Sequence, residues 1–251
     1  MLMQQPIGNY TFIKGIGPFC SGCKAQPGYE IAHARFHPQP ALQAGFSLIE
    51  RHLQRLGRPI QALCGMELRI PQSLSAQAFA EFNAPYITRL TDWELPVDGV
   101  NPVARTNVAP AVHPPAEPGV YGFSYTLPSQ YRGTTFVLSG SAETQRRSDG
   151  GEGYDIASHG DVSPGGLTRK ADHVLDILAA RLRELEVGWA DATTVQVYTV
   201  CDIHALLETS LRPAQQSRHG LQWHYARPPV TELEYEMDAR GVRQECVVPG
   251  V

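Results

Sequence analysis

LDILAARLRELEVGWADATTVQVYTVCDIHAL, residues Leu175–Leu206, joins two periodicities in one run. In its first part Leu178, Leu182 and Leu185 recur at helical spacing, continuing from Val174, and Leu175 and Ile177 widen the apolar stripe. Upstream, Ser163 can cap and Pro164 fits a first turn, so the spacing predicts a helix over Gly165–Glu186. Gly188 is placed to end it with a left-handed residue. The period then becomes two: Val195, Val197 and Thr199 alternate with Gln196, Tyr198 and Val200. That pattern predicts a strand, Thr193–Cys201, covered on one face by helices. A helix Ile203–Leu211 follows, an arginine-bearing segment Gln216–His224, and a strand Thr231–Ala239. TFVLSGSAE, Thr135–Glu143, supplies a strand in front.

The same order occurs earlier in the chain. PFCSGCKA (Pro18–Ala25) precedes an apolar helical run Ala41–Leu56, whose stripe is Leu42, Phe46, Ile49, Leu53 and Leu56, ending at Gly57. Leu63–Pro71 is strand-like, Ser75–Leu90 helical, and NPVARTN (Asn101–Asn107) and VYGFSYTL (Val120–Leu127) close the set. The expected fold is therefore α+β, two tandem units over 1–127 and 128–251, each a β-sheet with two helices on one face. Each sheet would keep one uncovered face, which predicts a homo-oligomer, most simply a homotrimer.

Composition narrows the function classes. The 251 residues are 42% hydrophobic with a net charge of −4 and no dense Lys/Arg run, which gives no argument for nucleic acid. No stretch of about 20 apolar residues is present to span a membrane. The opening MLMQQPIGNYTFIKG lacks the order of a signal peptide, and five cysteines read most simply as free thiols, so a cytoplasmic protein is expected.

Arg105, in VARTN, and Arg218, in QSRHG, take matching places in the two units, and a guanidinium fork suits a carboxylate. In TELEYEMDA, Glu232, Glu234, Glu236 and Asp238 alternate with apolar residues and would share one strand face. That face is either solvated or a place where crowded carboxylates raise one another's proton affinity. The first unit's VYGFSYTL carries no acid. Cys20-Ser-Gly-Cys23 is a lone C-x-x-C, which reads either as a redox pair or as half of a zinc site with no second C-x-x-C to complete it. No H-E-x-x-H, G-x-S-x-G, P-loop or G-x-G-x-x-G occurs, so neither a metal nor another cofactor is called for. The Gly-rich insert Gln145–Asp161 reads as a mobile loop that could cover a site.

These residues resemble the Rid (reactive intermediate deaminase, YjgF-like) family over nearly the whole chain. The resemblance rests on the Ser-Gly pairs Ser21-Gly22 and Ser139-Gly140, on the Leu175–Leu206 section, on Val103-Ala-Arg105-Thr106 against P-A-R-[ST], and on Glu232-Leu-Glu234-Tyr against E-I-E-A. The opening and the duplicated layout are similar to the branch acting on 2-aminomuconates. The resemblance implies chorismate-mutase-like domains in a trimeric arrangement with clefts between neighbours. It implies cofactor-independent hydrolysis of an acidic enamine or imine to a keto acid and ammonia, in aromatic-compound degradation. Carried over, Arg105 and Arg218 clamp a small-molecule carboxylate, Glu234 is the acid/base with Glu232 as its register alternative, and Ser139 lines the substrate site. The sequence departs from the family pattern at Ser217-Arg218-His219 and lacks the first-unit glutamate, which keeps a non-catalytic carboxylate-binding protein as the alternative.

Overall fold

The computed structural model describes residues 1–15, 17–146, 153–212 and 219–251. In chain order it contains β1 (Leu2–Gln5), β2 (Tyr10–Ile13), β3 (Gly22–Ala25), β4 (Tyr29–His37), α1 (Leu42–Arg55), β5 (Leu63–Arg69), α2 (Ala76–Asp92), β6 (Ala104–Pro110) and β7 (Gly119–Pro128). Then come β8 (Phe136–Leu138), β9 (Ser141–Ala142), β10 (Thr144–Arg146), β11 (Tyr154–Ile156), α3 (Pro164–Glu184), β12 (Thr194–Tyr198), α4 (His204–Leu207), β13 (Gln222–His224), β14 (Ala226–Arg227), β15 (Glu236–Gly241) and β16 (Glu245–Pro249).

α3 forms as its sequence dictates. The Ser163 hydroxyl accepts the Gly166 N–H, Pro164 sits in the first turn, and Leu167, Ala171, Val174, Leu178 and Leu182 make one buried stripe. Its end differs from expectation: Glu186 takes the left-handed conformation at φ 59°, and Gly188 is extended at φ −132°. α1 stops as expected, with Gly57 at φ 64°.

Two sheets carry the fold. One runs β14-β6-β5-β7-β4-β16 and the other β1-β2-β3-β8-β15-β12-β13, with β9 also on β15. The central order repeats: β4-β7-β5-β6 and β8-β15-β12-β13 have the same sequence of antiparallel, antiparallel and parallel pairings. The repeat register differs from the sequence reading in one place. Cys20–Ala25 is not the first unit's leading strand; that role falls to β4, while β3 pairs with β8. Strand membership also crosses position 127: β1, β2 and β3 join the sheet built from residues beyond 135, and β14 and β16 edge the other.

α1 and α2 pack on one sheet around Phe46, Ile49, Leu53, Tyr86 and Phe123, and α3 packs on the other around Val174, Leu178, Val195 and Met237. The remaining faces meet each other within the chain. Arg240 Nη1 donates to Glu67 Oε1 (2.9 Å), and the Thr106 hydroxyl donates to Asp238 Oδ2 (2.6 Å) across this interface. One end of it is apolar, filled by Tyr10, Phe12, Cys20, Cys23, Ile31 and Cys64. The uncovered sheet face that motivated a trimer is thus occupied by the partner sheet of the same chain.

Candidate active site

The strand carrying the acids starts later than its pattern suggested. Residues 231–235 form a turn and an extended lead-in, and the β15 ladder begins at Glu236. The four acids therefore do not share a solvated face. Tyr235, Met237 and Ala239 enter the α3 core, so Glu236, Asp238 and Arg240 turn into the space between the sheets. Glu232 is exposed, 4.0 Å from His159, and Glu234 pairs instead with Lys170 Nζ at 2.9 Å. Lys170 is fully buried and also bonds Glu143 Oε1 (3.2 Å), whose carboxylate accepts the N–H groups of Glu234 and Tyr235. Glu234 and Glu232 thus stand outside the inter-sheet space. The E-I-E-A pattern has a second register, Glu236-Met-Asp-Ala239, which keeps the terminal alanine; that signal pointed to the acids that turn into the inter-sheet space.

Arg105 stands at the start of β6, 3% exposed. Its Nη1 donates to Asn83 Oδ1 (2.8 Å), and its guanidinium lies 4.8 Å from the ring centres of Phe19 and Tyr86 and 5.5 Å from that of Phe79. No carboxylate pairs with it among the described residues, and burial pulls its proton affinity down. Ser139 is the hub beside it. The hydroxyl accepts the Arg105 N–H (3.0 Å) and donates to the Cys20 carbonyl (2.5 Å), while the Ser139 carbonyl accepts from Arg181 Nη1 (2.9 Å). Arg181, on α3, is a second guanidinium without a carboxylate partner among the described residues; burial lowers it to about 10.

Glu236 lies within electrostatic reach of both arginines. It is 5% exposed. Burial first, then the charges of Asp238 and Glu143, push its carboxyl up to about 8, against the pull of Arg105 and Arg69. Asp238 is also raised, to about 6, by burial and Glu67, although Thr106 and Gln196 bond its ionised form. Gly140 closes the group. Its N–H donates to the Arg105 carbonyl (3.0 Å) and to Thr106 Oγ1 (3.1 Å), and a Cβ there would overlap Glu236 Oε1. Gly140→Ala is accordingly expected to fold, because only a carboxylate tip must move, yet to lose at least about 10-fold in turnover. Circular dichroism and steady-state kinetics check the two halves of that expectation.

The arrangement can hold two anionic groups on Arg105 and Arg181 and pass a proton through Glu236. The free space between Arg105, Thr106, Leu138 and Asp238 is about 10 Å³, room for one water, so a substrate enters by displacing side chains. Phe19 and Phe79, half-buried against the guanidinium, are the groups between Arg105 and solvent. Arg218 lies outside the described residues, as do residues 147–152 of the insert, whose flanks pair as the β10–β11 ribbon. Cys20 and Cys23 are buried free thiols, and Cys23 Sγ bonds the Cys64 carbonyl (3.3 Å).

Comparison with known proteins bears on this site. A solved chorismatase shares the fold at a TM-score of 0.52, with 16% identity over 88% of this chain and 77% of its own. The YjgF gene product of E. coli aligns with 45% of this chain and 84% of its own, at 16% identity and a TM-score of 0.32. The 2-amino-5-chloromuconate deaminase of Comamonas testosteroni is 40% identical over 245 residues, covering 96% of each chain. The family model described as 2-aminomuconate deaminase CnbZ matches residues 2–246. With both matches running almost end to end, the chain belongs to the 2-aminomuconate deaminase CnbZ family and is an enzyme, a deaminase.

Proposed function

We propose that the protein hydrolyses the C–N bond of a 2-aminomuconate-type substrate, an enamine bearing two carboxylates, to the 2-keto acid and ammonia, at the Arg105–Arg181–Glu236 cluster. The observation that carries this reading is a pair of guanidiniums without carboxylate partners among the described residues, both within electrostatic reach of a carboxyl that burial raises to about 8. Arg105 and Arg181 are held by neutral acceptors only among the described residues, which leaves their charges to be met by anions, and a dicarboxylate supplies two. The relative's printed substrate, 2-amino-5-chloromuconate, has that chemistry.

The steps follow from Glu236 starting protonated. It donates its proton to a carbon of the enamine, which makes the C–N bond an iminium. The resulting carboxylate takes a proton from water as the water oxygen bonds to the nitrogen-bearing carbon of the iminium. The same proton goes to the nitrogen of the tetrahedral adduct; ammonia then leaves as the adduct's hydroxyl gives its proton to the Glu236 carboxylate and becomes the carbonyl. One water is consumed and one ammonia released, with Glu236 shuttling a proton out and back. The carboxylates stay on Arg105 and Arg181 throughout, which holds the reacting carbon beside Glu236. The test is ammonia release from 2-aminomuconate by the purified enzyme; absence of release at millimolar substrate would refute the reading.

This assignment fixes a pH dependence. The first proton donation needs neutral Glu236, so kcat should fall as pH rises through about 8, and Glu236→Gln should lack that limb. Stability shares the sign. The folded value of about 8 exceeds the ordinary 4.5, so the folded state holds a proton between these pH values that the unfolded chain releases. That stabilisation is complete below the ordinary carboxylate value and is lost as pH rises through about 8. Thermal melts from pH 5 to 9 on wild type and Glu236→Gln measure it.

A further inference from the structure

Three polar atoms near Arg105 are buried and lack hydrogen-bond partners among the described residues: Tyr86 Oη and the Asn107 side-chain atoms Oδ1 and Nδ2. Tyr86 is fully buried and Asn107 is 3% exposed. Orphaned buried groups of this kind are uncommon, and each costs the desolvation of its atom. Tyr86 lies on α2 with its ring centre 4.8 Å from the Arg105 guanidinium, and its phenol oxygen is within electrostatic reach of both Arg105 and Cys20. Asn107 is two residues beyond Arg105 on β6, so both side chains leave the same face of the strand, the one toward α2. Asn83, also on α2, has its Oδ1 taken by Arg105. The segment between α2 and β6 thus gathers an unpaired cation, a free phenol donor and a free amide.

We propose that Tyr86 and Asn107 complete a carboxylate subsite with Arg105: on binding, the Tyr86 hydroxyl and the Asn107 amide N–H donate to the carboxylate that Arg105 holds. This rests on the proposed deaminase reading for the identity of the substrate, but not for the subsite itself, which any small carboxylate of matching shape can fill. The geometry divides the labour. Arg105 supplies charge, whereas the two neutral donors set the orientation of the carboxylate plane, a role a guanidinium held by one asparagine does not complete alone. Both neutral groups lack partners among the described residues and gain them from the bound carboxylate, so they sacrifice stability for binding.

That opposition makes the test. A structural hydroxyl stabilises the empty protein, and its removal lowers Tm; a stranded one does the reverse. Tyr86→Phe and Asn107→Leu keep the shape of the side chains and avoid leaving a charge unpaired. The probe is cis,cis-muconate, a dicarboxylate without the reacting amine, read by thermal shift and calorimetric titration, with KM for 2-aminomuconate measured in parallel. The expected result is an unchanged or higher Tm for the empty Tyr86→Phe protein, with muconate affinity weakened about 10- to 100-fold and kcat within a few-fold of wild type. Asn107→Leu should move in the same direction. A lower Tm with unaltered muconate affinity and KM overturns the inference, because the phenol is then structural. A KM for 2-aminomuconate and a muconate affinity that are both indifferent to Tyr86 overturn it at any Tm, while leaving the deaminase reading standing. Tyr86-dependent muconate binding without turnover of 2-aminomuconate supports the subsite and overturns the substrate assignment instead.

Discussion

Replacing Glu236 by glutamine is expected to reduce kcat by about 10²–10⁴-fold and leave KM within a few-fold. The substitution keeps the size of the side chain and its hydrogen-bonding capacity but removes the exchangeable acid proton. The loss should therefore fall on proton transfer to carbon and on water activation. The same change should not harm the fold. Glu236 is neutral through most of its stable range, and an amide in its place is also neutral. Glu234→Gln is the informative control, since its carboxylate faces Lys170 rather than the arginine pair. Full activity in Glu236→Gln together with loss in Glu234→Gln would return the acid/base role to the residue first read from the sequence. Rapid-quench ammonia release separates these cases from effects on product release.

Removing either guanidinium should act on binding instead. Arg105→Ala and Arg181→Ala each delete one charge-assisted carboxylate pair, worth roughly 1.5–3 kcal/mol, so kcat/KM should fall about 10- to 150-fold for each. The double variant should lose close to the product of the two, because the substrate's carboxylates are several bonds apart and are met independently. The effect on the empty protein discriminates this reading from a structural one. A buried guanidinium held by a single neutral acceptor is destabilising in isolation, so Arg105→Ala should cost less stability than its lost packing against Phe19, Phe79 and Tyr86 alone predicts. By contrast, Arg240 is tied to both Glu67 and Glu245, and its loss takes from the buried Glu67 carboxylate its shortest ion pair, leaving it to the longer contacts with Arg69 and His33. Arg240→Ala should therefore lower Tm more than Arg105→Ala does, and denaturation curves rank the two directly. If Arg105→Ala left kcat/KM unchanged, the carboxylate clamp would not be at β6.

The sequence by itself determined the elements that depend on local periodicity. The stripe from Leu167 to Leu182 can only be buried as a helix, Val195 and Val197 only as one face of a strand, and the repeated order of such elements is visible in both central sheets. It also singled out Arg105 and Ser139, which the structure brings into contact, since short motifs identify residues whose chemistry is local. The tertiary structure decided everything that depends on which faces meet. Glu236 differs from Glu232 and Glu234 in no local property, as all three occupy alternate positions in TELEYEMDA. It becomes the buried acid because the ladder with β12 starts there and turns its carboxyl toward β6. Arg181 fits a helix stripe as well as its leucine neighbours do, and only its hydrogen bond to the Ser139 carbonyl brings it beside the Arg105–Ser139 cluster. The exchange of β1, β2 and β3 into one sheet and of β14 and β16 into the other leaves no trace in residue pattern, because edge strands are selected by long-range backbone pairing and not by side-chain period. That exchange is what turns the polar faces of the two sheets toward each other, and the proton affinity of Glu236 follows from the burial this contact produces.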